Sequence, residues 1–428
     1  MKDYYDIEEY ENYYNRRDIT SNRVILHSDL NNFFASVESL FCNELKDVPL
    51  AVCGDKEARH GIVLAKNELA KKYGVKTGET ISKAKEKCPS LVTRSCRYGD
   101  YVLTSRKVRE IYLSFATRVE PFGIDEAWLD VTELSERENK NDIFKAGFDI
   151  ANRLREKVKS ETGLTVSVGV SFNKTFSKLA SDMKKPDAVT LISFEDFKER
   201  IWSLPVESLL FVGRRTKSEL KRLKIKTVGE LAMTKRLSLK EELGKSGETL
   251  WDIANGFDFS PVSFYGLNEK QKSVSQSTTM PYDVTTYEEA DSVLIALSDT
   301  VSENLKRERF YSSTVKIFVR FSDFTSFVRQ VKLPTPTSLS RDIFMYASRL
   351  FKTNVDFLKP VRAIGVGAED LRENVGEQLS FVFEENVEGA LEKTRKKYGE
   401  NIIQRASVLK NSKLCEFDKK HVCFNSGI

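Results

Sequence analysis

The chain has 428 residues, 40% of them hydrophobic and 31% charged, and it contains no apolar run near the roughly 18 residues that a membrane span requires. One hydrophobic core stops growing beyond about 250 to 300 residues, so this length predicts roughly two to four globular domains, neither membrane-spanning nor disordered. The formal net charge of +5 excludes little by its size, and its distribution along the chain says more.

Residues 213–245 hold eleven Lys or Arg against four acids, Glu219, Glu230, Glu241 and Glu242, and residues 304–352 hold ten against three. One such run is commonly a solvated helix face. Two in separate regions point to a polyanion partner, because phosphate contacts need many distributed cations. The six cysteines (Cys42, Cys53, Cys88, Cys96, Cys415 and Cys423) are scattered without a C-x-x-C pair, and there are three histidines. That pattern speaks against structural zinc and a disulfide framework and fits a reducing cytosol. The acidic, tyrosine-rich start of the chain lacks the basic and apolar stretches of a secretory signal, so a cytoplasmic protein is expected.

In chain order, VILHSD (24–29) is a short apolar run that predicts a buried strand delivering Asp29 to its end, with a helix starting near Asn31 or Asn32. Residues 101–116 have helical spacing, and VEPFGIDEAWLDV (119–131) predicts two strand segments broken by Pro121 and Gly123, with Asp125 and Glu126 at the turn. TVSVGVS (165–171) alternates as a strand, and NKTFSKLASDMKK (173–185) predicts a helix stopped by Pro186, on which Lys174 and Lys178 share a face. Residues 205–256 read as short helices punctuated by Gly213, Gly229, Gly244, Gly247 and Gly256, and the stretch to Lys272 reads as a linker. The order then expected is strand, helix, strand, strand, helix, strand over 273–366, a split βαβ pattern. In it Val315, Ile317, Val319 and Phe321 form a core face and Lys316 and Arg320 a cationic one.

Asp29, Asp125 and Glu126 are three carboxylates in apolar contexts where an unpaired charge is costly to bury. An all-oxygen set favours Mg²⁺ or Mn²⁺ over zinc. Two such ions about 4 Å apart would serve phosphoryl transfer. An Asp-Glu pair at a hairpin is, taken alone, more often turn chemistry.

The surroundings decide the matter. HSDLNNFFASVE (27–38), VLAKNELAKKYGVKTGE (63–79), FGIDEAWLDVTE (122–133) and VSVGVSFNKTFSKLASDMKKPD (166–187) resemble, in letters, order and spacing, the motifs of the Y-family translesion DNA polymerases, closest to the bacterial DNA polymerase IV branch. The resemblance runs from about residue 23 to about 410. It implies an α+β right-hand fold, divided into an N-terminal extension (1–22), palm (23–34 and 99–190), fingers (35–98), helix-hairpin-helix thumb (191–262), linker (263–272), split-βαβ little finger (273–371) and C-terminal tail (372–428). It also implies a monomer that adds dNTPs to a primer 3′ end on a DNA template with low fidelity.

By the same resemblance, Asp29, Asp125, Glu126 and the Leu30 carbonyl would hold two Mg²⁺ ions, with Mn²⁺ as the other candidate. Amides around Leu30 to Phe33, with Asn31 and Asn32, would hold the triphosphate at a helix start. Phe34 would be the steric gate against a ribose hydroxyl, and Lys185 a triphosphate contact. Many members carry a triphosphate-binding tyrosine and arginine where this chain has Glu68 and Lys71. Lys71 can supply charge but no bidentate fork, and Glu68 cannot act as a hydroxyl donor.

LLFVGRRTKSELKRLKIKTVGELA (209–232) resembles the family's phosphate-gripping hairpin, with Gly213, Arg214, Arg215 and Lys217 as DNA contacts and Lys224 where a glycine is usual. Lys316 and Arg320 would grip DNA from the little finger. Gln378, Leu379 and Phe381 in GEQLSFVFEE (376–385) are similar to the peptide that holds the bacterial sliding clamp. Two rival readings stay open: a nucleotidyl cyclase, which would not need two further cationic regions, and a catalytically inactive DNA-binding accessory protein, which would not need all three carboxylates.

Overall fold

A computed structural model describes residues 22–54, 61–266 and 271–373, and residues 389–415 except 392, 395, 396, 399–401 and 404. These residues form two compact units, the first ending near residue 267.

In the first unit, β1 (Ile25–Leu30) leads into α1 (Phe33–Phe41), one or two residues later than expected, because Asn32 takes a left-handed conformation (φ 50°) at the helix start. β2 (Leu50–Cys53), β3 (Val63–Lys66) and β4 (Val92–Ser95) make a small sheet in the order β3-β2-β4. Ala70 of α2 (Glu68–Lys72) and Ala84 of α3 (Ile81–Lys87) pack on it. α4 (Tyr98–Leu113), β5 (Arg118–Pro121), β6 (Glu126–Asp130), α5 (Thr132–Glu138), α6 (Ile143–Thr162), β7 (Val166–Ser171), α7 (Lys174–Met183) and β8 (Val189–Ile192) follow. The main sheet runs β5-β6-β1-β7-β8, so β1 lies at its centre.

TVSVGVS forms the expected strand, and every residue of β7 is buried. Helix α6 covers the Val166, Val168 and Val170 side, and α7 lies directly on the other. The serines on the α7 side are satisfied inside: Ser171 Oγ donates to Ile192 O at 2.8 Å, and Ser167 Oγ accepts from Asn31 Nδ2 at 2.9 Å. Gly169 makes the contact feasible, since a Cβ there would stand 1.9 Å from Ser177 O and 2.5 Å from Ser181 N. Asn173 caps α7 by accepting from Phe176 N at 2.7 Å. The helix ends at Met183, short of the expected Lys185, because the residue before a proline is pushed to extended backbone.

The helical region contains α8 (Phe197–Ile201), a 3₁₀ turn at Val206–Ser208, α9 (Arg214–Arg222), α10 (Val228–Met233), α11 (Arg236–Leu243) and α12 (Lys245–Ala254). Thr227 and Glu230 form a capping box at the start of α10. Of the five glycines read as breaks, Gly213, Gly244 and Gly256 flank helices, whereas Gly229 and Gly247 lie inside α10 and α12. The chain beyond Gly256 is held on the main sheet rather than loose. Thr175 N donates to Asp258 Oδ2 at 3.0 Å, Ser263 N to Glu120 Oε2 at 2.9 Å, and Val262 is fully buried with Ile25 and Trp128.

In the second unit, β9 (Ser273–Val284), α13 (Tyr287–Arg307), β10 (Phe310–Phe321), β11 (Ser326–Thr337), α14 (Ser340–Asn354) and β12 (Val361–Glu373) follow the expected order. The sheet order is β11-β10-β12-β9, and β12 pairs antiparallel with both neighbours. β9 and β10 are therefore parallel and split by β12. Val315, Ile317 and Val319 are buried as expected. On the opposite face Lys316 is paired with Glu369, and Gly365, Gly367, Ser275 and Ser277 lie between. Two short helices, α15 (Ala406–Lys410) and α16 (Ser412–Cys415), pack on α13, where Asn411 Nδ2 donates to Ser292 Oγ at 2.9 Å.

Candidate active site

Asp29 and Glu126 stand directly opposite each other in the antiparallel β1/β6 ladder. The turn before Glu126 is pinned from both sides: Arg109 of α4 donates to Gly123 O at 3.0 Å, Ser105 donates to Ile124 O, and Leu30 N donates to Asp125 O at 2.9 Å. The three carboxylates are thus set by a strand, a strand start and a helix-clamped turn. All three are largely removed from water.

Burial pushes the Asp29 and Asp125 carboxyls up, and repulsion from Asp29 and Glu126 brings Asp125 to about 6; Lys185 pulls Asp29 partly back. Burial acts on Glu126 in the same direction, but His27 and Lys178 outweigh it and draw Glu126 down to about 2. Lys178 Nζ donates to Glu126 Oε2 at 2.5 Å. His27 Nε2 faces the same oxygen at 3.4 Å without hydrogen-bond alignment, and burial lowers the histidine's own pKa, so Lys178 is the group that holds this carboxylate. The imidazole is fixed from its other side, with Nδ1 2.9 Å from Ser181 Oγ, which itself donates to Lys178 O.

Lys185 Nζ stands 2.9 Å from Asp29 Oδ2 and 2.8 Å from Asp182 Oδ1. Its burial works against the charge, yet these pairs keep its pKa above the ordinary lysine value. Among the described residues, no three His, Cys, Asp or Glu side chains converge as they stand to hold an ion, since Glu126 is turned to Lys178 and Asp29 to Lys185. The donor chemistry still fits a hard divalent cation: all oxygens, on adjacent register positions, two of them desolvated and repelling each other.

On the α1 side, Leu30 and Asn31 are engaged within the sheet. Their N–H groups already donate to Asp125 O and Thr165 O, and the Asn31 side chain joins Ser167 to Asp187 N. A helix leaves its first N–H groups without intrahelical partners, so the available donors begin at the Asn32 and Phe33 end of α1. Phe34 is half-buried and stacks on Tyr101, with ring centres 4.3 Å apart and 16° between planes. Tyr101 is fully buried; its hydroxyl donates to Glu38 Oε1 at 2.7 Å, and Arg97 grips both Glu38 oxygens at 3.0 Å. Glu68 Oε1 accepts from Asn32 Nδ2 at 3.1 Å and lies 3.5 Å from Lys71 Nζ.

Sequence reasoning placed Lys174 and Lys178 on one face without a role; the structure gives them Glu120 and Glu126 as partners. Tyr101 and Glu38 were missed, because a backing aromatic leaves no local signal. In the helical region Gly213 precedes α9, and Arg214 and Arg215 are exposed, while Lys217 is paired with Glu207 at 2.5 Å. Arg320 lies over the Phe318 ring at 5.3 Å. Gln378, Leu379 and Phe381 lie outside the described residues, as does the N-terminal stretch up to residue 21.

Residues 28–182 match the model of the impB/mucB/samB family, and residues 271–381 that of its C-terminal domain. The chain is 44% identical to DNA polymerase IV of Acetivibrio thermocellus, over 91% of this chain and 98% of that protein. It is 34% identical to DNA polymerase IV of Clostridium acetobutylicum (90% and 98% covered) and 33% identical to DNA polymerase IV 1 of Bacillus subtilis (94% and 96%). Its fold matches a solved Y-family DNA polymerase chimera of Dbh and Dpo4 with a TM-score of 0.73, at 24% identity, over 82% of this chain and all of that one. The carboxylate-bearing sheet, the split βαβ unit and these likenesses agree, and the chain belongs to the Y-family DNA polymerases, in the DNA polymerase IV branch.

Proposed function

We propose that Asp29, Asp125 and Glu126 are the metal-holding carboxylates of this DNA-directed DNA polymerase, which performs low-fidelity, translesion synthesis. The observation that carries the assignment is the in-register pair Asp29 and Glu126 with the desolvated Asp125 beside it. Two Mg²⁺ ions, or Mn²⁺, held there with the Leu30 carbonyl would lower the pKa of the primer 3′ hydroxyl and neutralise charge on the triphosphate.

The chain's own residues do the positioning. Lys178 and Lys185 balance Glu126 and Asp29 until substrate arrives, and Lys185 then serves the triphosphate as a compact cation. Donors at the start of α1 and Lys71 bind the phosphates, and Phe34, backed by Tyr101, excludes the ribose hydroxyl. The palm comprises residues 23–34 and 99–190, the fingers 35–98, the thumb 191–262 and the little finger 273–371. Gly213, Arg214, Arg215 and Lys217 grip the duplex backbone from the thumb, and Lys316 and Arg320 from the little finger. The enzyme acts as a cytoplasmic monomer, and Gln378, Leu379 and Phe381 attach it to the sliding clamp. Among the described residues no helix is long and apolar enough to cross a membrane.

The test is extension of a primed template with dNTPs and Mg²⁺. Asp29→Ala and Asp125→Ala are expected to abolish it while the circular dichroism spectrum is kept; normal extension by either variant rejects the carboxylate assignment. Replacing Gln378 and Leu379 with alanine should weaken clamp affinity, and unchanged affinity would dismiss that peptide.

A further inference from the structure

Glu68 opens α2, and an ionised carboxylate can only accept hydrogen bonds. Its Oε1 takes a hydrogen bond from Asn32 Nδ2 at 3.1 Å and stands 3.5 Å from Lys71 Nζ. Asn32 does not spend its side chain on capping its own helix; it reaches instead to the neighbouring helix α2. Lys66, at the end of β3, belongs to the same group: burial and Lys71 lower its pKa while Glu68 opposes them. One carboxylate therefore sits among the donors nearest the start of α1.

We propose that Glu68 is a nucleotide-affinity determinant, a resident anion whose carboxylate holds the Asn32 amide and the Lys71 ammonium that an incoming triphosphate draws on. The inference rests on the reading of the α1 start, Lys71 and Lys185 as the triphosphate site. Carboxylate and phosphate oxygens are acceptors of the same kind, so they compete for these donors, and their like charges repel. A tyrosine in the same place adds a donor and no charge. The competition acts on the phosphates and not on the base, so it weakens all four dNTPs alike.

The experiment is calorimetric titration of dCTP into the full chain bound to a dideoxy-terminated primer–template in Mg²⁺ buffer, where no turnover occurs. Glu68→Gln keeps an acceptor for Asn32 while removing the charge, and its Kd is expected to fall roughly two- to fivefold, the range of a partly exposed ion pair. Glu68→Tyr should gain at least as much. In a Lys71→Ala background the gain should shrink, because the masked partner is gone. An unchanged Kd for Glu68→Gln, or a weaker one, overturns the proposal. If Lys71→Ala and Lys185→Ala themselves leave the Kd unaltered, the triphosphate-site reading is what fails; if they weaken binding while Glu68→Gln is neutral, only the role of Glu68 falls.

Discussion

Lys178 on α7 donates to Glu126 on β6 at 2.5 Å, and both side chains are more than four-fifths buried. Together with His27, this pairing draws the Glu126 pKa to about 2 against a burial that alone would raise it. Lys178→Met leaves a desolvated carboxylate without its cation, and the metal-free protein is expected to lose roughly 1 to 3 kcal/mol near pH 7. The depressed pKa sets the window: the contribution is complete above the ordinary value of 4.5 and fades as pH falls towards 2. Urea unfolding at pH 7 and pH 3 measures it, and equal losses at both would show that Lys178 acts by packing alone.

Phe34 sits at the edge of the main core, stacked on Tyr101 and 5.6 Å from the Phe33 ring. Phe34→Ala is expected to admit ribonucleotides, and Tyr101→Leu to relax sugar selection more weakly by loosening the ring behind it. Single-nucleotide incorporation with matched rNTP and dNTP gives the ratio. Unchanged selection in Phe34→Ala would return that residue to a packing role.

Gly169 is where α7 touches the sheet. Gly169→Ala forces a methyl into Ser177 O and Ser181 N, both backbone atoms, and should cost roughly 3 kcal/mol or more. The displaced helix carries Lys178, so primer extension should fall with stability. A thermal midpoint within a degree or two of wild type would contradict the contact.

Lys224 takes φ 62° in the turn after α9, a left-handed conformation that costs a side-chain-bearing residue about 1 kcal/mol. Lys224→Gly is therefore expected to raise stability by about that amount in denaturant titration. A loss of stability would mean that the lysine makes up the strain through contacts of its own.

Much of this molecule was legible in the sequence because its signals are local. The apolar VILHSD run ends in Asp29, Pro121 and Gly123 break the hairpin that carries Asp125, and the alternation around Lys316 marks one core face. What stayed hidden depends on groups far apart in the chain. Nothing near Phe34 announces Tyr101, and nothing in NELAKK announces that Glu68 reaches Asn32. The eleven cations of residues 213–245 overstated the free charge of that region, because Arg222 is tied to Glu242 within the run, and Arg236 to Glu248 and Asp252 and Lys217 to Glu207 outside it. The burial of both faces of β7 is likewise set by distant elements, since α7 covers the side that carries its serines.

The central claim is that Asp125 belongs to the reacting site, and single-turnover incorporation of one dNTP by Asp125→Asn tests it most directly, with primer–template affinity measured on the same preparation. The account predicts a rate lower by at least about a thousandfold with DNA affinity within about threefold of wild type. Incorporation within about tenfold of wild type at unchanged DNA affinity would contradict it.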